Sequence, residues 1–144
     1  MVPIRLIPQR EFQRLRQLPV ERHERLGLLA DMCRVNTLSV VKHAGSGHLG
    51  SSFSSLDLVT FLYYQEMNTV TLGATHPDRD VYFSSKGHDA PGLYAVLFSL
   101  GILSRESFIR LRRLGGVCGH PDVSTVGIEA NTGSLGMGIS KAKG

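Results

Sequence analysis

The sequence has only two cysteines, Cys33 and Cys118, among 144 residues. That is too few for the disulfide framework of a small secreted domain. No apolar run approaches the ~20 residues needed to cross a bilayer, so no membrane association is expected. Internal repeats and low-complexity tracts are also absent, which excludes a solenoid or a compositional linker. The opening, Met1-Val2-Pro3-Ile4-Arg5, lacks the apolar core and small-residue cleavage site of a secretory leader, and the expected location is cytoplasmic. Hydrophobic residues at 42% and charged residues at 19% describe a globular chain with one core. Cys33 falls on the apolar face of an expected helix, where a buried thiol is the natural reading.

A net charge of +4 raises the question of nucleic acid. The arginines between Arg5 and Arg34 are interleaved with Glu11, Glu21, Glu24 and Asp31, which dilutes the field that phosphate binding needs. Arg105, Arg110, Arg112 and Arg113 read as the solvated face of a surface helix. Nucleic acid is therefore not an expected partner.

Residues 1–19 read as an arginine- and proline-punctuated lead-in, with a short helix over 10–18, and residues 20–144 as one domain. Apolar positions at Leu26, Leu29, Ala30, Cys33, Thr37, Val40 and Val41 predict a helix over 20–42 with one buried face. Glycines then break the chain. Ser54 or Ser55 is expected to cap a second helix ending near Met67, with Asp57 in its first turn. Residues 80–84, Asp-Val-Tyr-Phe-Ser, read as a strand buried on both faces. Helices are expected over 91–100, with Pro91 in the first turn, and over 104–114, followed by a loop to Asn131 and the opening of a last helix after Ser134. The element order suggests an α/β sheet protein. A single strand leaves backbone groups unpaired on both edges, at roughly 1–3 kcal/mol for each orphaned group. Its sheet partners are expected beyond Gly144 or in another chain.

Three histidines flanked by glycine organise the chain: Ser46-Gly47-His48, Lys86-Gly87-His88 and Gly119-His120-Pro121. Glycine permits sharp turns and close approach of a ligand, and imidazole is suited to proton transfer near neutral pH. Taken singly, each reads most simply as a satisfied turn residue. Together they suggest loops converging on one polar ligand. Their separations match no metal-ligand spacing, and no metal site is expected from them. A fourth glycine-rich stretch, Thr132-Gly133-Ser134-Leu135-Gly136-Met137-Gly138, opens a helix. Backbone N–H groups in such a turn suit a diphosphate, and close helix packing through Gly136 and Gly138 explains it equally well.

From about Leu26 to Gly144 the chain resembles the N-terminal, diphosphate-binding part of transketolases, and most of all the short N-terminal subunits of split transketolases. The likeness rests on Ser46-Gly47-His48-Leu49-Gly50-Ser51-Ser52, Ser85-Lys86-Gly87-His88, Leu93-Tyr94-Ala95-Val96-Leu97 and Gly119-His120-Pro121-Asp122. It continues through Gly127-Ile128-Glu129-Ala130-Asn131 into the fourth glycine-rich stretch. Leu49 and Ser134 stand where many full-length members have proline, and Lys86 where they often have asparagine; these three match the split variety. Met137 stands where glutamine is frequent.

The resemblance implies an α/β fold, specifically the incomplete front half of a thiamine-diphosphate-binding fold whose parallel sheet is completed beyond the chain end. It implies transfer of a two-carbon ketol unit between sugar phosphates. His48 and His88 would assist proton transfers, with His88 also against the cofactor, and His120 would hydrogen-bond the hydroxyl of the two-carbon unit. Gly133 would approach the cofactor diphosphate and Leu135 would pack on its aminopyrimidine ring. Thiamine diphosphate and Mg2+ or another divalent cation are the implied cofactors. The family's Gly-Asp-Gly segment and following asparagine, which hold the cation, do not occur here, so its ligands are expected outside this chain. A C-terminal transketolase subunit or domain is the implied partner, within an oligomer. A non-catalytic interaction module and another ketol-transferring relative, such as a deoxyxylulose-phosphate synthase, are the alternatives.

Overall fold

The computed structural model describes residues 4–144, and the first three residues of the expected lead-in lie outside the described residues. α1 spans Gln9–Gln17 and α2 spans Arg22–Ala44. Glu21 caps α2 by accepting the N–H groups of His23 and Glu24 at 2.7 and 3.1 Å, satisfying donors that a helix start otherwise leaves unpaired. α3 runs Leu49–Phe61 and continues as a π-helical turn over Leu62–Glu66. A short α4, Thr69–Leu72, leads to an extended segment. After a 3₁₀ turn at Gly87–Asp89 comes α5, Ala90–Ser99, then α6, Arg105–Ile109, and α7, Gly138–Lys143.

α5 lies at the centre. All ten of its residues are buried, as its uniformly apolar sequence requires, because a helix apolar on every side has no face to give to water. α2 packs on it through Cys33, Val40 and Val41, and α3 through Leu56 and Val59. Phe12 and Leu15 of α1 close one end, and Phe108 stacks on Phe98 with ring centroids 5.2 Å apart. Burial pushes the Cys33 thiol up to about 12, so it stays protonated and inert. The sequence reading of a buried thiol holds.

One buried polar group stitches the N-terminal segment to this core. Asn36, fully buried on α2, accepts the Ile7 N–H at 2.7 Å and donates to the Ile7 carbonyl at 3.0 Å. Its amide thus substitutes for the strand neighbour that Ile7 lacks.

Three expectations are corrected. The described residues contain no β-strand. Residues 80–84 are extended but join no ladder, and Val81 is 54% exposed. Side chains serve the segment instead. Asn68 Oδ1 accepts the Asp80 N–H at 2.6 Å, the Thr69 hydroxyl donates to the Asp80 carbonyl at 2.7 Å, and Tyr82 lies edge-on to Tyr63. The second helix starts at Leu49, with His48 at its cap position, rather than at Ser54 or Ser55. Those serines donate to carbonyls in the preceding turn, Ser54 to Ser51 and Ser55 to both Ser51 and Ser52. They act inside the helix rather than as its caps. The helix expected to reach Leu114 ends at Ile109, because the chain reverses through Arg112 at φ +59°, a region that costs a bulky residue about 1–3 kcal/mol. No described helix is long and apolar enough to cross a membrane.

Replacing Asn36 with Ala strips both partners from Ile7. The expected loss is about 2–3 kcal/mol of unfolding free energy in urea titrations, two buried hydrogen bonds at roughly 1 kcal/mol each plus desolvation. An unchanged midpoint would show that the N-terminal segment does not dock.

Candidate functional site

The His48 and His88 loops meet where α3 and α5 begin. His48 ends the turn after α2, and His88 lies in the 3₁₀ turn that leads into α5. Their imidazoles stand edge to face, with centroids 5.2 Å apart and planes at 70°. Ser52 fixes this pairing: its hydroxyl donates to the His48 carbonyl at 2.8 Å and accepts the Gly92 N–H at 3.3 Å. Lys86 adds a second tie, its ammonium reaching the Ser51 carbonyl at 3.0 Å and the Ser54 hydroxyl at 3.1 Å. One short α-helical turn and one 3₁₀ turn are thereby held as a unit.

The third loop joins from the far side of Gly87. A β-carbon at Gly87 would lie 2.6 Å from Thr132 Oγ1, 2.7 Å from Thr132 C and 2.8 Å from the Gly133 nitrogen. Only glycine lets these two backbones touch. On the other side of Gly133 sits His120, whose Cδ2 would be 3.6 Å from a β-carbon built there. The Tyr94 hydroxyl of α5 donates to the His120 carbonyl at 3.2 Å, and Thr132 N–H donates to the Pro121 carbonyl at 3.3 Å. His48, His88, Gly133 and His120 thus fall on one continuous surface built from three loops. Leu135 is 72% exposed at its edge.

Ser85 organises the last glycine-rich stretch. Its carbonyl accepts the Gly136 N–H at 3.3 Å and its hydroxyl accepts the Gly138 N–H at 3.0 Å. The N–H groups of Gly136, Met137 and Gly138 are therefore engaged rather than presented to a ligand. The N–H groups of Gly133, Ser134 and Leu135 donate to no partner among the described residues. Gly133 and Ser134 border a cleft of about 380 Å³ between Ser85, the 131–134 turn, Met137, Gly138 and Lys141. The Thr132 hydroxyl is buried against Gly87 without a partner. Among the described residues, no group of three or more His, Cys, Asp or Glu side chains is placed to hold a metal ion.

The sequence reading assigned no role to Asp89, although it follows His88 directly. Its carboxylate is 2% exposed, and Oδ2 accepts the Ser84 hydroxyl at 2.8 Å while Oδ1 is buried without a partner. Burial raises its pKa above the ordinary value, only partly offset by the Ser84 hydrogen bond and by Lys86. An acid immediately before the apolar run that opens at Ala90 was the available signal.

Residues 27–144 match the family described as transketolase, thiamine diphosphate binding domain. Over 122 residues the chain is 36% identical to an apulose-4-phosphate transketolase subunit of Phocaeicola vulgatus, covering 84% of this chain and 43% of that protein. It is 38% identical over 117 residues to the 6-deoxy-6-sulfo-D-fructose transketolase subunit SqwG of a Clostridium species, covering 80% and 42%. With the transketolase of Mus musculus the identity is 34% over 116 residues, covering 80% of this chain and 19% of that protein. The chain spans less than half the length of these curated relatives.

Two outcomes test this geometry. Gly87→Ala forces a β-carbon into backbone, which is expected to cost about 1–3 kcal/mol in denaturant unfolding and to speed proteolysis across residues 132–137. Wild-type resistance to protease would show that the loops do not touch. For Asp89, a raised folded pKa means that the native state holds the proton more tightly than the unfolded chain does. Its contribution is fully present below the ordinary carboxylate range and is lost as pH rises from that range through the raised value. Stability measured across that window should fall less steeply in Asp89→Asn than in the wild type.

Proposed function

The chain belongs to the transketolase thiamine-diphosphate-binding domain family, and from that premise we propose that it contributes the substrate-side wall of a transketolase active site. The observation that carries this reading is the His48–His88 pair, 5.2 Å apart and joined through Gly87 and Gly133 to His120. In this reading the enzyme transfers a two-carbon ketol unit between sugar phosphates in the cytoplasm, as one part of an oligomer. Subunit names among its relatives support a division of the enzyme between chains, with a C-terminal transketolase subunit or domain as the partner.

The residues present fit one side of such a cofactor. The uncommitted N–H groups of Gly133 and Ser134 and the cation of Lys141 line one cleft and suit a polar, anionic group. The divalent cation is assigned to ligands outside these residues. When bound, thiamine diphosphate supplies the nucleophilic carbon that makes and breaks the carbon–carbon bond. The protein's task is then to orient hydroxyls and move their protons. His48 and His88 accept and return protons at sugar hydroxyls, and their edge-to-face contact keeps both ring nitrogens near one substrate. His120 hydrogen-bonds the hydroxyl of the transferred unit, held by Tyr94 and Pro121. Gly133 keeps the backbone close, and Leu135 offers an apolar surface to the aminopyrimidine once the site is assembled.

Calorimetric titration of the chain with thiamine diphosphate, with and without Mg2+, tests the division of labour. Weak binding that Mg2+ does not strengthen is expected, and micromolar, Mg2+-dependent binding by this chain alone would overturn it. In enzyme assembled with a C-terminal transketolase chain, His48→Ala and His88→Ala are each expected to lower ketol transfer by about 10²–10⁴-fold. Circular dichroism should be unchanged, and full activity in both variants would remove the histidines from the mechanism.

A further inference from the structure

The mechanism above gives no task to Asp89, the acid that follows His88 and is 2% exposed. Its Oδ2 takes one hydrogen bond, from Ser84, and its Oδ1 has none. An ionised carboxylate needs donors at both oxygens to offset its lost hydration. The pocket therefore favours the uncharged acid, and burial raises the pKa accordingly.

A donor stands close by but is turned elsewhere. The Lys86 ammonium is 4.0 Å from Oδ2, beyond hydrogen-bond length. It directs two of its three N–H groups to α3, at the Ser51 carbonyl and the Ser54 hydroxyl. Both are neutral acceptors, and a carboxylate is a stronger one. A movement of about 1 Å would bring the ammonium onto Asp89. Ser84 links the two residues: its hydroxyl donates to Oδ2 and accepts the Lys86 N–H at 3.3 Å. The Asp89 carbonyl lies 3.3 Å from the Ser52 hydroxyl, the group that holds the His48 carbonyl. Asp89 thus abuts both ties that join the His88 turn to α3.

Few groups face this carboxyl. Lys86 and His88 come from its own turn, Ser84 and Tyr82 from the extended segment, and Ser55 from α3. α5, which Asp89 precedes, carries no charged side chain. No second acid is among them, so the lysine meets a single carboxylate here.

We propose that Asp89 is a positioning residue for the His48–His88 pair, acting through Lys86. Uncharged, the acid leaves the ammonium on α3, where it clamps the His88 turn beside the helix that opens after His48. Ionised, it draws the ammonium off Ser51 and Ser54, and the two loops are free to part. The clamp is closed below the ordinary carboxylate range and opens as pH rises through the raised value. The proposal rests on the transketolase reading only for what the imidazoles do to a sugar.

The test is an NMR pH titration of the ¹³C,¹⁵N-labelled 144-residue chain, read at Asp89 Cγ, Lys86 Cε and the His48 and His88 rings. Asp89 Cγ is expected to titrate above the ordinary carboxylate range. At the same midpoint Lys86 Cε should shift and the nuclear Overhauser contact between the two rings should be lost. In Asp89→Asn, which holds the position uncharged, the contact should persist across the range and the lysine step should vanish. Any titration the rings keep in that variant is their own. In Lys86→Met the contact should be weak at every pH, while Asp89 titrates higher than in the wild type. In enzyme assembled with a C-terminal transketolase chain, kcat should fall across the Asp89 midpoint roughly tenfold more in the wild type than in Asp89→Asn, the scale that small displacements of reacting groups carry. Titration of Asp89 within the ordinary range, a ring contact blind to its ionisation, or a lysine step retained in Asp89→Asn would each overturn the proposal. The first two are read in the wild type, so a variant that fails to fold does not shelter it. The NMR signals need no turnover. If they behave as expected while the assembled enzyme transfers no ketol unit, the transketolase reading falls and the clamp stands; active enzyme without the lysine step does the reverse.

Discussion

Two backbones touch at Gly87, and much of the site depends on that contact. The Lys86-Gly87-His88 turn meets the Thr132-Gly133 turn with no room for a β-carbon. Ser85, two residues earlier, holds the N–H groups of Gly136 and Gly138. This short stretch therefore sets the distance between the histidine pair and the glycine-rich lip. On one side it orients His88 toward His48, and on the other it brings Gly133 against His120. A methyl group inserted here would separate proton-transfer groups from the amides that border the cleft. Sterics at one position thus do what a longer interface would do by area.

The histidine loops were legible in the sequence because their signal is local. Glycine beside histidine, repeated on separate loops, implies close approach whatever surrounds it. α5 was legible for a related reason: a continuous apolar run opened by Pro91 and stopped by Gly101 allows few readings. The strand at 80–84 was misread because a strand is defined by its neighbours. Val81-Tyr82-Phe83 has strand composition, yet Asn68, Thr69 and Tyr63 supply contacts that a pairing strand would otherwise make. No local pattern announces that a side-chain amide will take the place of a ladder.

The serine-rich start of α3 misled by the same route. Serine favours helix caps, but a serine hydroxyl can also turn back to a carbonyl in the preceding turn. Ser52, Ser54 and Ser55 all do so, and the helix starts earlier than its capping residues suggested. Arg112 is the sharper case. Nothing in Arg110-Leu111-Arg112-Arg113 forecasts a left-handed residue. The return of the chain to Val117, through the Arg112–Val117 hydrogen bond, imposes it.

The complete burial of α5 divides the molecule by how readily its parts open. Its amides can meet solvent only when the core itself comes apart, so their hydrogen exchange reports global unfolding. The loops carrying His48, His88 and His120 hang from the ends and flanks of this helix by a few hydrogen bonds, through Ser52, Lys86 and Tyr94. Those loops can fluctuate at a small fraction of the free energy that guards the helix. The chain joins a slow-exchanging post to fast-exchanging arms, and the arms can rearrange around a ligand while the post keeps their anchor points fixed.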